Sequence, residues 1–463
     1  NMDMCIFMPC VSHMIDNQSI LILLLPSCCL CCLCCLISEL GSLFLIVVPP
    51  LFVYFMWYVI FIQKGSLLET FNIIGKVGLR DFWWIHLYPN IHPFDPLAWK
   101  ILGTYSAFEL ALMKWVPGKV FKATPTATGH VPTYTANGVQ CYLISIAALF
   151  ACKYFGFFNP AIIYDMLGKL LGSIVFFAVF FCMFLSVKGL YFPSTKDCGT
   201  NGSLIVDYFW GTELYPRILG WDVKQFTNCR FGMMYWQLGI FCYAFKQFDL
   251  YGYVSSSMLI SVVIQTAYIF KFFHWETGYF CSMDIQHDRA GWYICWGCLC
   301  WVPSVYTLHT IYLVEHPMLP SPLLTFLLTA AGTVCVWINY DCDRQKQVFR
   351  QTNGKEKIWG KDAEYIVASY TTEDGVKRTS LLLTNGWWGL SRHIHYIPEI
   401  LASVFWCVPL QCDHYLPYFY PVYLTILLFD RAWRDDARCA AKYGKAWDQY
   451  CERVPYKVIP GVI

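Results

Sequence analysis

The stretch Leu170-Leu-Gly-Ser-Ile-Val-Phe-Phe-Ala-Val-Phe-Phe-Cys-Met-Phe-Leu-Ser-Val187 decides the fold class. It carries no charge, and its length suits a helix crossing a hydrocarbon core, which takes about 20 predominantly apolar residues. Comparable charge-free runs occupy residues 17–38, 40–63, 231–245, 250–270, 290–314 and 316–340, with weaker ones at 101–113 and 138–152. Two more, 400–412 and 414–429, are separated only by Asp413 and read as a tight helical hairpin or a partly re-entrant pair. The expectation is an all-α, polytopic integral membrane protein with about ten transmembrane helices. The short runs imply tilted or protein-buried helices.

Composition agrees. Of 463 residues, 57% are hydrophobic and 14% charged, against roughly 25% charged in soluble domains. The formal charge of +2 lacks the basic excess of a nucleic-acid binder. Disorder is excluded by the abundance of aromatic and branched residues. Twenty-four cysteines suggest a disulfide framework at first sight, but such frameworks belong to small secreted domains. In the string Cys28, Cys29, Cys31, Cys32, Cys34, Cys35 the cysteines sit among leucines within a lipid-length run, which reads as apolar filler, with palmitoylation and metal binding as alternatives. No metal site is expected.

Beyond residue 340 the scarce charge collects: 16 of the 33 basic residues lie in 341–463. Residues 341–380 are polar and contain a strand pair, 365–372 and 378–383, turned at Glu373-Asp374-Gly375. Basic segments beside spans favour the cytosolic side. Anchoring to anionic headgroups and binding of an anionic ligand both fit the charge, but only the second fits the interleaved Trp, Tyr, His and Asp.

Three constellations stand out. Glu276, Asp284, His287, Asp288 and Arg289 precede an aromatic run in which Trp296 and Tyr306, with Pro303, line a flat apolar cavity or form an interfacial belt. In Gly386-Trp-Trp-Gly-Leu-Ser-Arg-His-Ile-His-Tyr396, Arg392 and Tyr396 are spaced as neighbours on one helical face. In the C-terminal stretch, Asp435, Arg438, Cys439 and Lys442 follow i, i+3, i+4, i+7, placing an acceptor among donors. That face suits a phosphorylated, hydroxyl-rich ligand or, more blandly, a solvated salt-bridge helix. Glycine-rich nucleotide loops, His-Glu-x-x-His and Gly-x-Ser-x-Gly are absent.

At these residues the chain resembles the sterol reductase family of endoplasmic-reticulum membrane proteins. The likeness is carried by Asn228-Cys-Arg-Phe-Gly-Met-Met234, residues 284–306, Tyr340-Asp-Cys-Asp-Arg-Gln-Lys346, residues 381–399 and nearly all of 430–461. Residues 1–62 depart from the family pattern, which has one span where two apolar runs stand here, and are set apart. The resemblance implies a transmembrane, sterol-facing body at 63–340 and an NADPH-binding C-terminal half at 341–463 with a helical cofactor pocket. It implies Lys346 and Arg350 near the cofactor phosphates, Leu383 and Trp388 along its channel, then His395 and Tyr396. Asp435, the run Cys439, Ala440, Ala441, Lys442, Tyr443, and Tyr450 complete the cofactor set. Glu276, Trp296 and Tyr306 are the sterol-side candidates, and Asp435 and Tyr306 the candidate proton donor or relay. His395 stands where the family often has Asn, and Asn385 where it commonly has Ser.

The implied activity is NADPH-dependent reduction of the 7,8 double bond of 5,7-diene sterols, by protonation and then hydride transfer. The implied setting is the endoplasmic-reticulum membrane, with the bilayer, a sterol and other enzymes of sterol biosynthesis as partners. Alternatives are reduction of the 14,15 bond and a non-catalytic sterol-binding scaffold. Arg392-His393, Val454-Pro455 and Tyr450 also resemble membrane isoprenylcysteine methyltransferases, though the basic residues favour NADPH over S-adenosylmethionine.

Overall fold

The computed structural model describes residues 27–126, 128–371, 377–410 and 414–463, with side chains from residue 38 onward except at 410. The cysteine string's side chains, the turn at 373–375 and Asp413 fall outside the described residues. The described residues divide into two compact units, one of those up to residue 321 with those of 409–420, the other of those of 322–408 with 421–463.

The first unit is helical. Among the described residues Ser38–Phe61, Leu167–Tyr191, Ser256–His274 and Trp292–Glu315 are long and apolar enough to cross a membrane. The apolar runs at 17–38 and 40–63 do not meet at a helix boundary: residues Ser27–Phe61 form one helix through Glu39. A single charge interrupts a hydropathy run without touching the i→i−4 backbone ladder. Other helices begin at caps legible in the sequence. Asp95 accepts from the amides of Leu97 and Ala98 before Pro96–Trp115, and Ser255 accepts from Met258 before Ser256–His274.

Among the described residues regular α-geometry lapses at three π segments, Phe82–Leu87, Gln225–Gly232 and Gly297–Trp301, of which the last two are buried. Arg230 lies in Gln225–Gly232 and donates to Glu276 (Nη1···Oε1 2.5 Å) and to Asn137 (Nη2···Oδ1 2.7 Å). The second carboxylate oxygen of Glu276 accepts from the amide of Gly138 at 2.9 Å, at the first residue of helix Gly138–Tyr154. Any side chain at 138 would start 2.7 Å from that oxygen, so glycine is required by the close approach. Two short hairpins, Lys119–Lys122 with Thr133–Ala136 and Arg217–Ile218 with Trp221–Asp222, are additions that the all-helical expectation lacked.

The second unit starts with Pro322–Gln351, the fifth helix long and apolar enough to cross a membrane. The switch to polar sequence at residue 341 falls inside this helix, because helix propensity persists where hydropathy stops. The expected strand pair is present as Tyr365–Thr371 against Lys377–Leu383. It packs Ala368 and Leu382 on Trp447 and Tyr450, the buried residues of helix Lys445–Arg453, and on Val454 just beyond it. Gly444, at φ +52°, separates that helix from Phe419–Tyr443.

Candidate functional site

Within the second unit, Trp388 is the centre of the first cluster. Its indole donates to the carbonyl of Cys342 (2.9 Å), and the Lys346 ammonium lies 3.8 Å from its ring centre. Leu383 packs beside it with Phe349 and Ile358. The ring of His395 lies 5.1 Å from Trp388 and 4.3 Å from Tyr396, and Tyr396 stacks on His393 at 5.1 Å. Asn339 fixes the turn by donating to the His395 carbonyl (2.8 Å). Lys346, Leu383, Trp388, His395 and Tyr396, far apart in sequence, are thus gathered.

The second cluster lies on the polar half of helix Phe419–Tyr443. As the spacing predicts, Asp435 and Cys439 share a face, with Sγ 3.9 Å from the Asp435 carboxylate. Burial and the Asp435 carboxylate push the Cys439 thiol up to about 12, while Lys346, Arg438 and Lys442 pull the other way. Those three cations therefore act at one place. His393 reaches within 3.8 Å of Asp435. Lys442 lies 4.2 Å from the ring centre of Tyr370, which meets Tyr443 edge-on at 5.6 Å. Ala440 and Ala441 are exposed, so their short side chains leave the helix surface low beside the cations. Tyr450 is buried; desolvation raises its phenol well above the usual range, and Arg392 and Arg350 oppose that rise. Arg350 itself is exposed.

Arg392 and Tyr396 do not share a helical face. The helix begins only at Tyr396, and the residues before it are tied elsewhere, the amides of Arg392 and His393 donating to the carbonyls of Tyr456 and Lys457. The Arg392 guanidinium donates to the Val454 and Pro455 carbonyls (2.9 and 3.1 Å) and lies 3.3 Å from Asp436. It pins the tail segment rather than facing a ligand.

In the first unit, Tyr306 is buried against Trp236 (5.1 Å, edge-on) and Tyr420 (4.7 Å). Trp296 stacks on Trp292 at 5.2 Å. Glu276 has both oxygens engaged by Arg230 and Gly138, as described above. Three contributors escaped the sequence reading. Asp341 accepts from the Trp387 indole, Gln345 accepts from the Trp387 amide, and Tyr370 supplies a ring from the hairpin. Asp341 and Gln345 stand within the stretch 340–346 that carries part of the resemblance; Tyr370 carried no signal beyond its place in a strand.

Residues 37–463 match the Ergosterol biosynthesis ERG4/ERG24 family. The chain belongs to this sterol reductase family. The match reaches back to residue 37, so part of the segment set apart at the N-terminus lies within the family's extent. Among family members, the 7-dehydrocholesterol reductase of Arabidopsis thaliana is 50% identical over 414 residues, covering 89% of this chain and 95% of that relative. The 7-dehydrocholesterol reductase of Xenopus laevis is 35% identical, with 92% of each chain covered. The Delta(14)-sterol reductase of Methylotuvimicrobium alcaliphilum is also 35% identical, over 90% of this chain and 93% of the relative.

Proposed function

We propose that this family member reduces the 7,8 double bond of 5,7-diene sterols, of the 7-dehydrocholesterol type, using NADPH. The observation that carries the reading is the 50% identity to a 7-dehydrocholesterol reductase across nearly its whole length, against 35% to a Delta(14)-sterol reductase. In this reading about ten helices cross the endoplasmic-reticulum membrane. Residues 63–340 take the sterol and 341–463 hold the dinucleotide in a helical pocket.

The donor chemistry fits NADPH. Lys346, Arg438 and Lys442 act together on Cys439, and Arg350 is close enough to Tyr450 to oppose the rise of its phenol. Such cations suit phosphates, including the one that distinguishes NADPH from NADH. Trp388, Tyr396 and Tyr443 offer flat faces, Leu383 and His395 hold Trp388 in place, and the small exposed side chains of Ala440 and Ala441 allow close approach. When bound, NADPH supplies the hydride.

A carbon-carbon double bond away from any carbonyl cannot accept hydride directly, so the protein's own part is proton donation first. A proton added at carbon 8 leaves an allylic cation over carbons 5 to 7, which hydride quenches at carbon 7. Asp435 or Tyr306 is the donor or its relay, within a general-acid step. The Tyr306, Trp236 and Tyr420 rings, with Trp296 and its stacked neighbours, give a dry, cation-tolerant surround. Glu276, both oxygens occupied, serves by fixing Gly138 and Arg230 and not by touching sterol. Other enzymes of sterol biosynthesis are the natural neighbours, as suppliers of the diene.

The test is expression of the full chain in yeast that accumulates 5,7-diene sterols, with sterol mass spectrometry. The reading expects 7,8-saturated products. Rescue of a strain lacking 14,15-reduction, with the 5,7-dienes untouched, would replace it by the 14,15-reductase reading.

A further inference from the structure

The first unit contains a cavity of about 380 Å³ with an almost wholly apolar lining, between helices Pro96–Trp115 and Leu167–Tyr191 and residues 218–231. Its walls are aromatic, including Trp99, Phe177, Phe181 and Phe231, and it shares no lining residue with the cluster around Tyr306. Ligand cavities of this size, apolar with few polar groups, are characteristic of small-molecule sites.

The cavity has two unlike ends. Helices Pro96–Trp115 and Leu167–Tyr191 start side by side, since Lys169 pairs with Asp95 and Ser173 donates to the Pro93 carbonyl. Trp99 and Ile174 therefore mark one end, and Leu110 and Phe181 the other. From Trp99 to Leu110 the helix rises about 16 Å. The Leu110 end carries the polar groups: the Trp221 indole donates to the Leu110 carbonyl (3.0 Å), Lys114 lies over the Trp221 ring at 4.0 Å, and Ser106 and Asp222 line the wall. Trp is enriched at membrane–water interfaces, where its ring is apolar and its N–H finds a polar partner, as that of Trp221 does.

The head end does not suit a phosphate. Lys114 is occupied by Trp221, and Arg217 by the Thr133 carbonyl (2.6 Å) and, at 4.0 Å, by Asp222. A neutral head with one hydroxyl is what Ser106 and the buried Asp222 can hydrogen-bond. At the mouth stands Leu219, 84% exposed and at φ +51°, where a branched residue is uncommon. An unshielded leucine held there in a tight hairpin offers an apolar edge to a ligand that protrudes from the cavity.

We infer that this cavity is a second sterol-binding site, separate from the Tyr306 cluster, taking one sterol with its hydroxyl toward Ser106 and Asp222 and its flat rings among the aromatic walls. The choice of sterol rests on the proposed reductase reading; the cavity's shape and neutral head end stand apart from it.

The experiment uses the full chain in nanodiscs with a diazirine-bearing cholesterol analogue, photolysed and mapped by peptide mass spectrometry. A diazirine acyl-chain phosphatidylcholine is run in parallel, and reduction of a 5,7-diene sterol with NADPH is assayed on the same preparation. Labelling on residues 99–110 and 218–231, competed by excess unlabelled cholestanol, is expected. Gly103 lines the cavity, and a Cβ placed there would meet nothing within 4 Å, so Gly103→Leu can start its side chain in open space and direct it into the cavity. It should cut sterol labelling at least tenfold while reduction at saturating sterol persists. Leu219→Ser, at an exposed position, is the second variant and should weaken labelling in the same peptides.

Absence of labelling there in protein that reduces sterol overturns the site. So does equal, uncompeted labelling by phosphatidylcholine, which marks ordinary bilayer lipid. Competed sterol labelling in protein that reduces no diene upholds the site and sinks the reductase reading instead.

Discussion

Replacing Glu276 by Gln isolates a buried ion pair in the first unit. Side-chain exposure is 0% for Arg230 and 3% for Glu276, and the polar contacts at the junction link Arg230, Glu276, Asn137 and Gly138. Gln keeps the shape but has one acceptor oxygen where two are used, so its amide group must face either a guanidinium or a backbone amide. It also strips a fully buried guanidinium of its counter-charge. Breaking one partner of such a pair costs about 3–5 kcal/mol, a large share of the roughly 5–15 kcal/mol by which proteins are stable. The expected result is a marked fall in melting temperature, read by size-exclusion thermal melts of the detergent-solubilised full chain. The double replacement Arg230→Met with Glu276→Leu should recover much of the loss, since an apolar pair of similar volume avoids the stranded charge. Folded survivors of Glu276→Gln should show an unchanged KM for sterol. A variant that melts like the parent but needs far more sterol would refute the structural role and place Glu276 on the substrate.

Other positions give distinct outcomes. Arg350→Ala and Lys346→Gln should each raise the KM for NADPH about tenfold or more, the worth of a charged hydrogen bond, leaving the KM for sterol unchanged in steady-state assays. Asp435→Asn should lower turnover about a hundredfold or more, as loss of a general acid does, in protein that still elutes as a folded peak. The Cys439 thiol, held near 12 instead of its ordinary 9.0, carries about a thousandth of the usual thiolate at pH 8. Alkylation of Cys439 should therefore stay slow up to about pH 9 and speed up in Asp435→Asn, which removes the carboxylate that raises the thiol. Arg392→Ala should cost about 1.5–3 kcal/mol of stability by releasing the Val454 and Pro455 carbonyls, with proteolysis near residue 454 as the readout.

The helical class was legible because lipid-length apolar runs admit few other folds, and caps such as Asp95 and Ser255 mark helix starts locally. Hydropathy misplaced what it does not measure. Glu39 broke an apolar run but not the helix Ser27–Phe61, and the polar turn of sequence at 341 did not end Pro322–Gln351. The strand pair at 365–383 showed through its alternation and flanking turn signal. At the candidate site, the Asp435 and Cys439 face followed from helical spacing alone. Arg392 was misread for the opposite reason: its backbone is captured by carbonyls more than sixty residues on, and no local pattern announces that. The same holds for Tyr370 beneath Lys442 and for Asn339 on the His395 carbonyl, both long-range pairings.

The central claim is reduction of the 7,8 bond by NADPH, and isotope placement tests it most directly. The full chain in nanodiscs would be given a 5,7-diene sterol and NADPH deuterated at the transferable position, then, separately, ordinary NADPH in deuterated water. The account predicts deuterium at carbon 7 from the cofactor and at carbon 8 from the solvent. Deuterium at carbons 14 and 15 of an 8,14-diene with the 5,7-diene untouched, or no NADPH consumed at all, would contradict it.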